Sequence, residues 1–457
     1  MVNILVLLSS VSLPTDFEYV KELAKIIKGI YSISTGGVTQ KNISRQTADD
    51  GYGYRSVQRF FSKDINWELL YLSCISYFFK NNTEGVYILA IDEVVESKAG
   101  KSTNGVGRFF SSIANRAIPS VCFHALSVIE VTTRKCFVTK SEQREPAKKK
   151  KAKKGSKKEK PVQCNVSSKP KGRPKGSTDK NKTKTHTALS LSFERLLIGG
   201  LALLATIGIV PNYIVADGAY GTKTFFLICI EQNIALISKI RCTSSLYLPA
   251  ESKKEKPSRG RAKKYGKKVD LEKLDTNSSY YHKTIAEEES SLIIDVYHFP
   301  TVWTTFLPQM INVTVLIATN TRTNKISRKI LFSTDLELPA DLIIEYYRLR
   351  FQIEFNFRDA KQYFGLADFR AYKTTQVNNS VGLAFFMVNF SHIIRKKVTE
   401  IWEIENLSIF DVKAGFRAEK QLERILKYLN LDVEAFKNQV DLKDLAAFEA
   451  VNLNSIY

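Results

Sequence analysis

Residues 85–97 read GVYILAIDEVVES, an apolar, β-branched run that ends in an acidic pair, and its place in the succession of strands and helices decides the fold. Residues 120–142, SVCFHALSVIEVTTRKCFVTKSE, read as two further strands joined near Thr132 to Lys135, so an antiparallel trio is expected. After a long apolar helix at about 188–209 comes PNYIVADGAYG (211–221), a short strand that again stops at an aspartate. A helix (FFLICIEQ, 225–232) and another strand (ALISKI, 235–240) complete the rhythm. Three strands, then helix, strand, helix and strand imply an α/β fold with a mixed sheet.

The rest of the chain fits around that core. At 457 residues and 44% hydrophobic content it can bury at least one large core. Residues 1–80 read as a helical N-terminal domain for DNA binding or dimerisation, residues 81–240 as the first part of the core with a basic insertion at 144–185, and residues 241–335 as an inserted β-rich subdomain. Residues 336–400 read as the second part of the core, and 401–457 as a helical C-terminal region. Within the N-terminal domain, two short helices around a Gly/Asp turn carry Arg45, Tyr54, Arg55, Gln58 and Arg59. They suit a DNA reader of the helix-turn-helix type, and equally a helical cap or dimerisation segment.

The formal charge of +22 is concentrated in two segments, +14 over residues 144–184 and +8 over residues 253–268, leaving the remainder neutral. Such runs attract polyanions, nucleic acid first, because each neutralised phosphate releases counterions. A solvated loop is the plainer reading. Six scattered cysteines without a CxxC pair and five dispersed histidines point away from zinc and from a Ser/His/Asp triad, and toward a reducing, cytoplasmic setting. The apolar start lacks a basic leader, and the uncharged run Leu196 to Val210 is short for a bilayer, so it is expected as a buried helix and no membrane partner is implied.

Residues 346–364, YYRLRFQIEFNFRDAKQYF, read as a single helix. At about 100° per residue, Tyr347, Arg350, Glu354 and Lys361 fall within roughly 60° of arc, a polar stripe beside the apolar Leu349, Ile353, Phe357, Ala360 and Phe364. Arg350 and Glu354, four apart, could simply pair on a surface. Asp92 and Asp217 suggest more, since each is expected where a strand stops, at the edge where pockets form in open α/β sheets. Three converging carboxylates repel unless a cation neutralises them. Magnesium suits them as a hard ion that takes oxygen ligands, and two such ions would make a phosphodiester-cutting site. Arg350 and Lys361 would then meet DNA phosphates alongside the acids.

The spacing Tyr347, two residues, Arg350, three residues, Glu354, six residues, Lys361 resembles the Y-x2-R-x3-E-x6-K signature of the insertion-sequence-four family of DDE transposases, over roughly residues 85 to 400. The resemblance implies an RNase H-like catalytic core. Asp92, Asp217 and Glu354 would be the metal-binding triad for Mg2+, with Mn2+ able to substitute, and Tyr347, Arg350 and Lys361 would hold the DNA backbone. It further implies a homodimer on paired transposon ends that attacks target DNA, working in the bacterial cytoplasm at the nucleoid. Trp303 could stack a flipped base or simply be a core tryptophan.

The lysine-rich insertion is not part of that family pattern. Its KPKGRPKGSTDK holds Gly172, Arg173 and Pro174, like the core of an AT-hook, with Lys175 next in the chain. Minor-groove binding and nonspecific phosphate contact are both open there. Two other readings share the features above: a transposon-derived DNA-binding protein that has lost its chemistry, and an RNase H-like nuclease without strand transfer.

Overall fold

The computed structural model describes residues 1–80, 85–100, 102–111, 114–146, 187–250, 263–287, 291–433, 435, 440 and 442–447. The helices α1 (Ile4–Ser10), α2 (Val20–Tyr31), α3 (Gln40–Thr47), α4 (Tyr54–Phe60) and α5 (Trp67–Phe79) come first. Strands β1 (Tyr87–Ser97), β2 (Gly107–Ser111), β3 (Arg116–Glu130) and β4 (Cys136–Arg144) come after them, then α6 (Ala188–Ala205), β5 (Tyr213–Ala216), α7 (Lys223–Glu231) and β6 (Ala235–Ile240). Next come β7 (Leu246–Pro249), β8 (Tyr265–Lys268), β9 (Tyr281–Glu287), β10 (Leu292–Thr304), β11 (Ile311–Asn320) and β12 (Ile326–Ser333). The chain returns to helix with α8 (Ala340–Leu349), α9 (Phe351–Tyr363), α10 (Thr374–Trp402) and α11 (Ile409–Tyr428).

The strands form one mixed sheet in the order β2-β3-β1-β5-β6-β12-β11-β10-β7-β8, with β4 also on β3 and β9 also on β10. β1, β3 and β4 are the expected antiparallel trio, and β5 and β6 run parallel to β1. Helices cover both faces: α8, α9 and α10 pack on one, through Ile343, Leu349, Ile353 and Phe357, and α6 and α7 on the other, through Phe193, Leu196 and Phe226. Three antiparallel strands, two parallel strands beside the first and helices on either face make an RNase H-like fold.

Local chemistry sets the element ends. At the β3–β4 hairpin the Glu130 carboxylate accepts from the Thr132 and Thr133 N–H groups while Arg134 takes the left-handed conformation at φ 56°. Asn320 does the same for β11–β12, accepting from Arg322 and Thr323. Thr39 caps α3 through the Asn42 N–H, and Ser408 with Asp411 forms a capping box on α11.

Several expectations need correction. β1 does not stop at the acidic pair but runs on to Ser97, because β3 continues to pair with it as far as Ser120. The strands of 241–335, expected as an inserted β-rich subdomain, continue the core sheet, since β12 pairs with β6. α6 is only half covered: Leu196 and Leu197 face the sheet, whereas Leu191 and Ile198 face outward. Both α6 and α10 are long and apolar enough to cross a membrane by composition, but α10 is a core helix, almost wholly enclosed. The stretch 346–364 is two helices, with a break at Arg350 where the Arg350 N–H reaches Tyr347 O and the Ile353 N–H reaches Arg350 O, one residue tighter than the α spacing. Arg173 and Lys175, and the GRP motif with them, lie outside the described residues.

α10 is tied in by buried amides. Asn389 donates to Val138 O at 2.7 Å and accepts from Val138 N at 2.8 Å, closing the free edge of β4. Asn379 accepts from Trp67 Nε1 and donates to Phe61 O and Lys63 O, and Gly382 leaves room for the Trp67 ring, 2.3 Å from where a Cβ would stand. Replacing Asn389 by Leu strands a buried N–H and a buried C=O on β4. We expect a loss of about 2–4 kcal/mol, read as a lower urea midpoint at unchanged slope.

Candidate active site

The parallel pairing of β1 with β5 covers Ile88 to Ile91 against Tyr213 to Ala216, and ends there. Asp92 and Asp217 are the next residue on each strand, side by side where the two strands part. Strand alternation sets their direction. Ala90 and Val94 on β1 and Val215 on β5 face the layer of α8 to α10, whereas Ile91 and Ala216 face α6 and α7. Both aspartates therefore sit on the face that α9 covers. Asp92 thus lies in mid-strand rather than at a strand end, but at the point where its parallel neighbour stops.

Glu354, in the first turn of α9, completes the group through Arg350. The Arg350 guanidinium donates from Nη1 to Asp92 Oδ2 at 3.0 Å and from Nη2 to Glu354 Oε1 at 2.8 Å. Its rigid fork therefore holds those two carboxylates within about 8 Å of each other. The guanidinium is nearly buried, at 7% exposure, and lies 5.8 Å from the Tyr347 ring centroid and 4.9 Å from that of Phe351. Lys239 of β6 places Nζ 2.8 Å from Asp217 Oδ1.

Burial is the largest influence on Asp92 and lifts its carboxyl to about 6, with Glu354 and Asp217 adding and the Glu93 N–H and Arg350 opposing. Burial also pushes Asp217 upward, but the Lys239 hydrogen bond, the Gly218 N–H and Arg350 outweigh it and hold this carboxyl below its usual range. The three acids thus feel one another across a single half-buried site.

Arg350 and Lys361, expected as DNA-backbone clamps, both have carboxylate partners in the chain itself. Both cations turn toward the sheet: Arg350 bridges two acids, and Lys361 pairs with Glu96, four residues beyond Asp92 on the same face of β1. Two contacts, Glu354 through Arg350 with Asp92 and Lys361 with Glu96, therefore lay α9 along β1. In contrast, Arg55 and Arg59 are exposed on α4 with Tyr54 and Gln58. Arg45, Tyr54 and Gln58 line a cleft shared with Arg370, Tyr372 and Gln376, on the segment after α9. Trp303 is half-buried on β10 beneath Lys264, whose Nζ is 3.8 Å from the ring centroid.

Sequence reasoning missed Lys239 and the support of Asp217. After Asp217 the chain makes a 3-10 turn in which Tyr220 N–H reaches Asp217 O, and Ser238 Oγ donates to the same carbonyl. Tyr220 is anchored by a buried relay: its hydroxyl lies 3.0 Å from His124 Nε2, and His124 Nδ1 lies 2.7 Å from Ser192 Oγ. Burial pushes His124 down to about 3, so the relay is neutral. Strand register signals Lys239, because it stands two residues beyond Ile237, the partner of Val215, and so shares its face.

As they stand, the described residues hold no group of three or more His, Cys, Asp or Glu spaced to grip an ion together, and Arg350 and Lys239 are the cations paired with the three acids. The donor chemistry nevertheless fits a hard divalent cation: three carboxylates on one face, with no thiol or imidazole among them.

Asp92 makes stability depend on pH. Its carboxyl is raised in the folded protein, so the neutral form favours folding; that contribution is complete below the ordinary value near 4 and is lost as pH rises to about 6. Between pH 4 and pH 7, in a chelator, the wild-type protein should lose on the order of 1–2 kcal/mol relative to Asp92→Asn. Denaturant midpoints of the two proteins measure it, and a pH-independent difference would contradict the assignment.

A family model described as DDE superfamily endonuclease matches residues 26–290, and one described as transposase DDE domain matches residues 197–390. Among curated proteins no match is found. The first model takes in Asp92 and Asp217, the second Asp217 and Glu354, and the first alone covers more than half of the chain. The protein therefore belongs to the DDE superfamily of endonucleases and is a DDE transposase.

Proposed function

We propose that the protein excises and integrates an insertion sequence: water attacks a phosphodiester at the transposon end, freeing a 3′ hydroxyl, and that hydroxyl attacks a target phosphodiester and displaces the target 3′ oxygen. The observation that carries this reading is that Asp92 and Glu354 share the Arg350 guanidinium while Asp217 stands beside Asp92, one residue past the end of the neighbouring strand. These acids would hold two Mg2+ ions, with Mn2+ as a substitute. When bound, the ions supply Lewis acidity at the scissile phosphate and stabilise charge on the entering and leaving oxygens.

The chain's own groups do the rest. Arg350 keeps Asp92 and Glu354 facing each other against their repulsion, and Tyr347 packs beside it. The Tyr220–His124–Ser192 relay holds the turn that carries Asp217. Lys361, with a third of its side chain exposed, is placed at the edge of α9 to reach the DNA backbone once Glu96 releases it. Arg55 and Arg59, exposed on α4, contact transposon-end DNA, and Arg173 and Lys175 add a minor-groove or phosphate contact. The signature Tyr347, Arg350, Glu354, Lys361 supports a place in the insertion-sequence-four family, and with it a homodimer acting on paired ends and target DNA.

Asp92→Asn, Asp217→Asn and Glu354→Gln should each lower cleavage of a duplex from the DNA flanking the gene, in Mg2+, by about a thousandfold or more while leaving duplex binding within a few fold. Full cleavage by any one removes that acid from the site. Arg55→Ala with Arg59→Ala should weaken duplex binding and flatten its dependence on log salt by about one per lost phosphate contact, as measured by fluorescence anisotropy. An unchanged slope would place the DNA elsewhere.

A further inference from the structure

Two cations face the three acids, and they differ in how firmly they are held. Arg350 is bonded to two carboxylates, and its side chain is 7% exposed; Lys239 is bonded to one, and its side chain is 46% exposed against an Asp217 side chain at 38%. An exposed lysine–carboxylate pair is weak, because water competes for both ends. The lysine is nevertheless a built feature. A Cβ on Gly218 would stand 2.8 Å from Lys239 Cγ and Cε, and one on Gly221 would stand 2.5 Å from the Lys239 carbonyl oxygen. The two glycines therefore let the strand and the lysine stem lie against the turn that carries Asp217, leaving only the ammonium tip free to move.

We propose that Lys239 is a displaceable counter-cation of the acid trio. It holds Asp217 in the protein without metal or DNA, and it yields that carboxylate to a divalent cation when a DNA phosphate takes up the ammonium. This rests on the reading of Asp92, Asp217 and Glu354 as the metal site. Charge balance supports the exchange: with both cations in place the ionised trio keeps one net negative charge, and a divalent ion in place of the lysine brings it to neutrality. Any further positive charge then requires the negative charge of a phosphate. An ammonium has three freely turning donors and suits phosphate as well as carboxylate. Tyr347 lies within the field of the same lysine, so the vacated tip would turn toward the helix side of the site. Metal and DNA would thus each raise the affinity for the other, by the same factor. Lys239 is a positioning residue in this scheme, acting through Asp217.

The test is Mn2+ binding to the full chain, measured by calorimetry and by electron paramagnetic resonance, with and without a duplex from the DNA flanking the gene. Lys239→Ala should bind Mn2+ alone roughly two- to fivefold tighter than the wild type, and should gain less affinity from the duplex. Lys239→Arg should restore wild-type behaviour. Gly218→Ala crowds the lysine stem and so displaces the ammonium without removing it, and should resemble Lys239→Ala in the absence of DNA. Equal or weaker Mn2+ binding by Lys239→Ala, with Asp217→Asn still abolishing it, overturns the counter-cation and leaves the metal site standing. Wild-type Mn2+ binding by Asp217→Asn and Asp92→Asn overturns both.

Discussion

Carboxylates do not gather unaided, and the rest of this site depends on the guanidinium that gathers two of them. Arg350 reaches Asp92 from a helix 258 positions further along the chain and bonds Glu354 one turn onward with its other nitrogen. A lysine could not do the same with one compact charge, because the planar fork presents two donors in fixed directions. To bring that fork onto β1 the backbone departs from the α pattern at Arg350, which divides α8 from α9. The departure is a local tightening that keeps helical angles, with Arg350 at φ −51° and ψ −33°. The cost is small, and the gain is two charge-assisted pairs on a guanidinium that is itself nearly buried.

The sheet supplies the other half of the geometry. A strand that pairs in parallel on one side and antiparallel on the other can lose the first partner while keeping the second. β1 does this at Asp92: β5 stops at Ala216, and β3 accompanies β1 to Ser97. The aspartate is thus carried by a strand still paired with β3 yet opens onto the space that its departing neighbour leaves. Asp217 stands on the first residue past the end of β5, and its carbonyl is fixed from both sides by Tyr220 and Ser238.

Much of this was legible in the sequence, because the signals were local. Apolar runs of strand length, hairpin residues such as Glu130 and Asn320, and the spacing of Arg350 and Glu354 each report on a few neighbouring residues. The illegible features depended on partners. The sequence cannot show that β3 extends the pairing of β1, so Asp92 looked like a strand end. Helical arithmetic puts Arg350 and Lys361 on one polar stripe but cannot name their ion partners Asp92 and Glu96, which lie more than 250 residues away. The short β2, β7 and β8 carry too few residues to show a period. Lys239 is one lysine among many until the register of β6 against β5 puts it beside Asp217.

Stability and chemistry are borne by different groups. The upward shift of Asp92 means that its charged form opposes folding, and the ion pairs around it only partly offset that cost. The fold draws instead on neutral buried polar groups that fix the helices to the strands: Asn389 on Val138, Asn379 on Trp67 and the chain at Phe61 and Lys63, and Asn356 on the Cys136 carbonyl. A buried amide with its partners met loses little to desolvation and nothing to salt or pH. Because these amides stand on α9 and α10, the helix bearing Glu354 stays docked whatever the charge state of the acids. The site can therefore exchange one cation for another without the scaffold giving way.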